Sequence, residues 1–128
     1  MISAFPALVS ALALLLYVAV FVAAGRARRR FDVKAPAVTG PPEFERAFRV
    51  QQNTLEQLVW FIPALWLFAL YASPSWGGIL GLVWVAGRGY YALSYYRDPE
   101  TRGPGFAIGF ASAAILLAGG LIGILAAL

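Results

Sequence analysis

The chain has 128 residues, of which 61% are hydrophobic and 12% charged, with 10 Lys and Arg against 6 Asp and Glu. Such a chain is too apolar for an ordinary soluble domain and too short for more than one bundle, so it reads as a single all-α membrane domain, residues 1–128. Cysteine and histidine are both absent. That excludes disulfides and removes the usual nucleophile, the usual base near neutral pH and the commonest soft-metal ligands, so no metal is expected. What remains is Arg, Tyr, Asn, Gln, Glu and Asp, a set suited to binding and stabilising an anion while the reactive atom arrives with a substrate.

In chain order, residues 2–24 form an apolar run long enough to span a hydrocarbon core of ~30 Å. The charges follow this run and no basic region precedes it, which disfavours a cleaved signal peptide. Arg26, Arg28, Arg29, Arg30 and Lys34 then place half of the ten basic residues within nine positions. An arginine cluster abutting a span reads as a topology anchor meeting anionic lipid rather than as a nucleic-acid patch, and it assigns the loop at about 25–43 to the cytoplasm. The proline- and glycine-containing stretch Ala35–Pro42 is an extended loop ending where a polar helix begins.

The second predicted span covers about residues 44–72 and opens on Glu45-Arg46-Ala47-Phe48-Arg49-Val50-Gln51-Gln52-Asn53-Thr54-Leu55-Glu56. At ~100° per residue, Glu45, Arg46, Arg49, Gln52, Asn53 and Glu56 share about one third of the helix circumference, and Gln51 points away. Pro63 is expected to kink this helix or mark close packing. Ser73–Gly77 reads as a short uncharged outer turn, followed by a third span over about 76–96. That span carries Arg88, Tyr91 and Tyr95 on one face, at i, i+3 and i+7. A tight polar loop, residues 97–103, is again assigned to the cytoplasm, and a fourth span runs over about 104–128. Both termini are then outside. Gly105-x-x-x-Gly109 and Gly119-x-x-x-Gly123 are small-residue patterns compatible with close helix approach.

Four spans bring Arg28, the 45–56 face, Arg88, Tyr91, Tyr95 and Arg102 into one cytoplasmic layer. Polar groups carried to the edge of a bilayer face protein, a water-filled cavity or a ligand. Arginines clamp carboxylates bidentately, Glu56 can take an ammonium group, and the amides can read peptide groups, so the set suits a small carboxylate-rich zwitterion. The alternative is an ion-pair network, for example Glu56 with Arg88, that only locks the bundle.

Thr39-Gly40-Pro41-Pro42-Glu43-Phe44-Glu45-Arg46, followed by Arg49, Gln51, Asn53 and Glu56, resembles the signature region of the MAPEG family, the membrane-associated proteins in eicosanoid and glutathione metabolism. The resemblance is greatest to its leukotriene-C synthase branch, and it continues through Arg88, Tyr91, Tyr95 and Arg102. It implies a four-helix subunit in a homotrimer that binds glutathione, as cofactor or co-substrate, on the cytoplasmic side between neighbours. It further implies that Arg49, Asn53, Glu56, Tyr91 and Tyr95 hold glutathione, with Arg28, Gln51 and Arg88 assisting, and that Arg102 is catalytic. Arg102 would keep the glutathione sulfur as thiolate, which would attack a lipophilic electrophile or reduce a hydroperoxide.

The resemblance has departures. Gln57 stands where the eicosanoid synthases have an aromatic hydroxyl residue, and Asp98-Pro99-Glu100 differs from their loop, so their particular lipid substrate is not implied. The expected partners are other copies of the chain, membrane lipid and a hydrophobic small molecule, with no nucleic acid. The expected location is a bacterial inner membrane or an endomembrane. Two alternatives are a non-catalytic lipid-binding or scaffold member and a small exporter. Retention of Arg102 with Arg49, Asn53 and Glu56 argues against the first. The second calls for an acidic residue in the first span, which has none.

Overall fold

The computed structural model describes residues 3–128, so Ile2, the expected start of the first span, lies outside the described residues. Four long helices, α1 (Ala4–Arg30), α2 (Pro42–Tyr71), α3 (Pro74–Arg97) and α4 (Gly103–Ala127), are joined by short connections, the last containing a 3₁₀ turn at Pro99–Thr101. The α2–α3 pair is central. Helix α1 packs on one side of both central helices, and α4 packs on the other.

Local chemistry sets the helix ends. Helix α1 closes with Asp32 in the left-handed region (φ 53°), which lets the Val33 N–H reach the Arg28 carbonyl at 3.0 Å. An αL residue after the last turn commonly satisfies orphan carbonyls in this way. Helix α2 starts on Pro42, where a missing N–H costs nothing. The Glu45 carboxylate accepts from the Gly40 N–H at 3.0 Å, tying the loop to the first turn. Ser73 caps α3 by accepting from the Trp76 N–H at 3.2 Å, with Pro74 at the first helical position. The expected outer turn over 73–77 is therefore shorter than its sequence suggests, because serine and proline here start a helix.

Three helical segments, Ala4–Arg30, Pro42–Tyr71 and Pro99–Ala127, are long and apolar enough to cross a membrane. Helix α3 has the length, at 24 residues, but Arg88, its glycines and its terminal tyrosines make it less apolar. Its central place in the bundle explains how that composition is tolerated, since its neighbours bury Arg88 and Trp84. Exposed Leu14, Leu15 and Phe21 of α1, Val59 of α2 and Ile122 and Leu125 of α4 give the bundle an apolar exterior. This is a four-helix membrane bundle.

One half of the bundle is an apolar core in which Phe61 of α2 stacks on Trp84 of α3, with ring centroids 4.0 Å apart and planes 6° from parallel. Val9 and Ala13 of α1 and Ala113 and Leu116 of α4 close around them. Helix α2 runs unbroken through Pro63. The close approach of α4 to α3 depends on Gly105, where an added Cβ would lie 2.6 Å from the Tyr91 backbone nitrogen. The small-residue pattern read from the sequence is thus used at a true helix contact.

Candidate functional site

The other half of the bundle, where the loops 31–41 and 98–102 lie, is polar. Arg46 of α2 donates to the carbonyls of Tyr96 and Arg97 at 3.4 Å each. It thereby satisfies orphan carbonyls at the end of α3. Glu45 and Arg46 therefore hold helix ends, although both also line a cavity shared with Arg49 and Tyr95, and the polar face of α2 continues beyond them.

A cavity of about 240 Å³ opens between α2, α3 and the start of α4, lined by Asn53, Glu56, Gln57, Arg88, Tyr91, Arg102 and Phe106. Arg88 is only 3% exposed. Its Nε donates to Thr54 Oγ1 at 3.3 Å, and its guanidinium lies 3.8 Å from the centre of the Tyr91 ring. The Tyr91 hydroxyl in turn accepts from Asn53 Nδ2 at 2.7 Å. Arg102, at the start of α4, donates to the Pro99 carbonyl at 2.7 Å and sits 5.8 Å from the Tyr95 ring centre. The Tyr91 and Tyr95 rings, 5.6 Å apart, lead to a second cavity of about 320 Å³ that includes Arg49 and Tyr95.

Seven of the nine expected site residues thus lie in two neighbouring cavities: Asn53, Glu56, Arg88, Tyr91 and Arg102 in one, Arg49 and Tyr95 in the other. Arg28 and Gln51 are elsewhere. Arg28 donates to the Val33 and Ala37 carbonyls, at 3.3 and 2.7 Å, beneath the Phe44 and Phe48 rings. Gln51 donates to the Tyr17 hydroxyl on α1 at 3.4 Å. Sequence reasoning missed Thr54, which is fully buried and accepts from Arg88. Its only signal is position: it directly follows Asn53 and faces the bundle rather than the polar stripe.

The ion-pair alternative is not what forms around Arg88. Among the described residues, every hydrogen bond donated by an arginine ends on a backbone carbonyl or a hydroxyl, never on a carboxylate. Glu56 lines the same cavity as Arg88 without hydrogen-bonding to it, so the guanidinium is buried with a nearby carboxylate but no paired one, an arrangement that is costly. The same described residues hold no group of His, Cys, Asp or Glu able to bind a metal ion.

Fold and site together define an integral membrane protein with a polar cavity, lined by two arginines and a glutamate, in the loop-bearing half of its bundle. The MAPEG family profile matches residues 6–122, and the chain belongs to that family. An uncharacterized protein of Synechocystis is 52% identical over 94% of this chain and 88% of its own length. Human microsomal glutathione S-transferase 2 is 41% identical over 78% of this chain and 68% of its own. Leukotriene C4 synthase of Cavia porcellus is 39% identical over 60% of this chain and 51% of its own.

Proposed function

We propose that this chain is a glutathione-dependent membrane transferase that activates the tripeptide as its thiolate and joins it to a lipophilic electrophile. The observation that carries this reading is Arg88, buried with a hydroxyl and a ring for partners, in a cavity that also holds Asn53, Glu56 and Arg102. Glutathione brings two carboxylates, one ammonium and a thiol. Arg49 and Arg88 are suited to its carboxylates, Glu56 to its ammonium and Asn53 to its amides. The names of two relatives, human microsomal glutathione S-transferase 2 and a Dictyostelium discoideum protein named "Probable microsomal glutathione S-transferase", support the same substrate.

Arg102 carries the chemistry in this reading. A thiol has a pKa near ~8.5, and a neighbouring guanidinium lowers it, so the sulfur loses its proton to water and persists as the nucleophile. Attack then forms one carbon–sulfur bond while the electrophile's leaving group departs or its strained ring opens. With a hydroperoxide, two thiols are oxidised to a disulfide as the O–O bond is reduced to alcohol and water. Phe106 and the apolar faces beyond it suit a lipophilic partner.

Arg28 and Gln51 join the glutathione site only if a neighbouring copy presents its α1–α2 edge to the cavity, as in the homotrimer implied by the family resemblance. The loop-rich end is assigned to the cytoplasmic side because it carries Arg26, Arg28, Arg29 and Arg30. The test is calorimetric titration of the detergent-purified protein with glutathione, paired with turnover of 1-chloro-2,4-dinitrobenzene. Saturable binding with turnover supports the transferase. Binding without turnover of this electrophile or of a lipid hydroperoxide supports a non-catalytic member, and no binding removes the proposal.

A further inference from the structure

A third cavity, larger than the two already described, lies on the α1 side of the central pair. It occupies about 510 Å³ between α1, α2 and α3; none of its lining residues lines the Arg88 cavity, and Arg46 is the one it shares with the cavity beside Arg49 and Tyr95. Along α1 its wall changes character: Ala19, Val22 and Ala23 are apolar and mostly small, whereas Arg26 and Arg30 follow one and two turns further on. From residue 19 to residue 30 this wall is about 16 Å long. Across from it stand Arg46 and Glu43 of α2, so three guanidinium groups face one carboxylate. Tyr96 of α3 also lines the groove, and its hydroxyl is buried without a hydrogen-bond partner.

We propose that this groove is a binding site for one anionic phospholipid, its phosphate held by Arg26 and Arg30, with Arg46 adding positive charge while its Nη1 stays on the Tyr96 and Arg97 carbonyls, and its proximal acyl carbons lying along Ala19, Val22 and Ala23. The excess of cations selects a negative headgroup, as basic residues flanking a span do. The apolar continuation selects a lipid over a free phosphate, because the same wall belongs to a helix long and apolar enough to cross a membrane. Arg28, two residues from Arg26 and Arg30 and therefore ~200° around the helix, points away from the groove. The arginine cluster is thus divided between two tasks: Arg28 holds the loop, and Arg26 and Arg30 face the lipid.

The experiment is native mass spectrometry of delipidated, detergent-purified protein titrated with phosphatidylglycerol or phosphatidylcholine of matched acyl chains. Arg26 and Arg30 are exposed, so their substitution is expected to leave the fold intact. Wild type is expected to retain one phosphatidylglycerol roughly tenfold more tightly than phosphatidylcholine, and the double variant Arg26→Gln/Arg30→Gln is expected to lose that preference. The charge-matched control Arg29→Gln/Lys34→Gln, outside the groove, is expected to keep it. Equal loss in both double variants would reduce the effect to diffuse attraction and overturn the site, as would equal retention of both lipids by wild type. Displacement of the lipid by millimolar inorganic phosphate would show an anion site without lipid character and overturn it equally.

Discussion

Helices α2 and α3 run through both halves of the bundle, yet the two halves are built on opposite terms. In the apolar half, Phe61 lies flat on Trp84 and neighbouring side chains from all four helices fill the space around them. In the polar half, the same two helices leave a cavity, in which Arg88 donates to Thr54 and lies against the Tyr91 ring, with Glu56 in the same lining but not bonded to it. The first arrangement gives stability through packing. The second leaves a buried guanidinium without a bonded carboxylate, which costs stability, and on the reading proposed above that cost keeps a cation available for a ligand.

That contrast makes the halves separable by substitution. The largest effect is expected from Phe61→Ala, which empties the centre of the packed half. It should lower unfolding stability by about 3–5 kcal/mol, read as a fall in the thermal midpoint in detergent, while the molecules that remain folded keep their affinity for glutathione. Next, Arg102→Ala should lower turnover by about two orders of magnitude, the usual scale for removing one charge-stabilising donor. Its unfolding midpoint should match wild type, since Arg102 is exposed. A matching fall in stability would mean that the polar half is structural after all.

Arg88→Met sharpens the comparison, because it removes a buried charge while keeping a long side chain. Thermal stability is expected to hold or rise, whereas glutathione affinity measured by calorimetry falls roughly tenfold or more. A protein that unfolds on this change would contradict the view that Arg88 is held at a cost. The smallest effect belongs to Asn53→Ala. Loss of its hydrogen bond to Tyr91 should weaken glutathione binding about fivefold, in keeping with one hydrogen bond worth about 1 kcal/mol.

Much of this organisation was legible in the sequence because hydropathy and helical spacing are local properties. The apolar runs located α1, α2 and α4. The i, i+3, i+7 spacing of Arg88, Tyr91 and Tyr95 placed three polar residues on one face of α3, and Arg49, Asn53 and Glu56 likewise shared a face of α2. What could not be read was which polar residues serve the fold. Arg46 looks like part of the site on a helical wheel, but its acceptors are carbonyls 50 and 51 positions away in the chain. Glu45 similarly bonds the Gly40 N–H, a partner fixed by how the loop enters α2. Gln51 and Tyr17 meet only because α1 packs back on α2, and Thr54 becomes the partner of Arg88 only once α3 is in place.

The central claim is that the polar cavity makes a thiolate rather than merely holding a peptide, and an ultraviolet difference titration with glutathione near neutral pH tests it most directly. Wild type is expected to show a saturable thiolate absorption band, and Arg102→Ala is expected to bind glutathione without it. A band of equal size in both proteins would take Arg102 out of the chemistry, and saturable binding with no band in the wild type would contradict activation altogether.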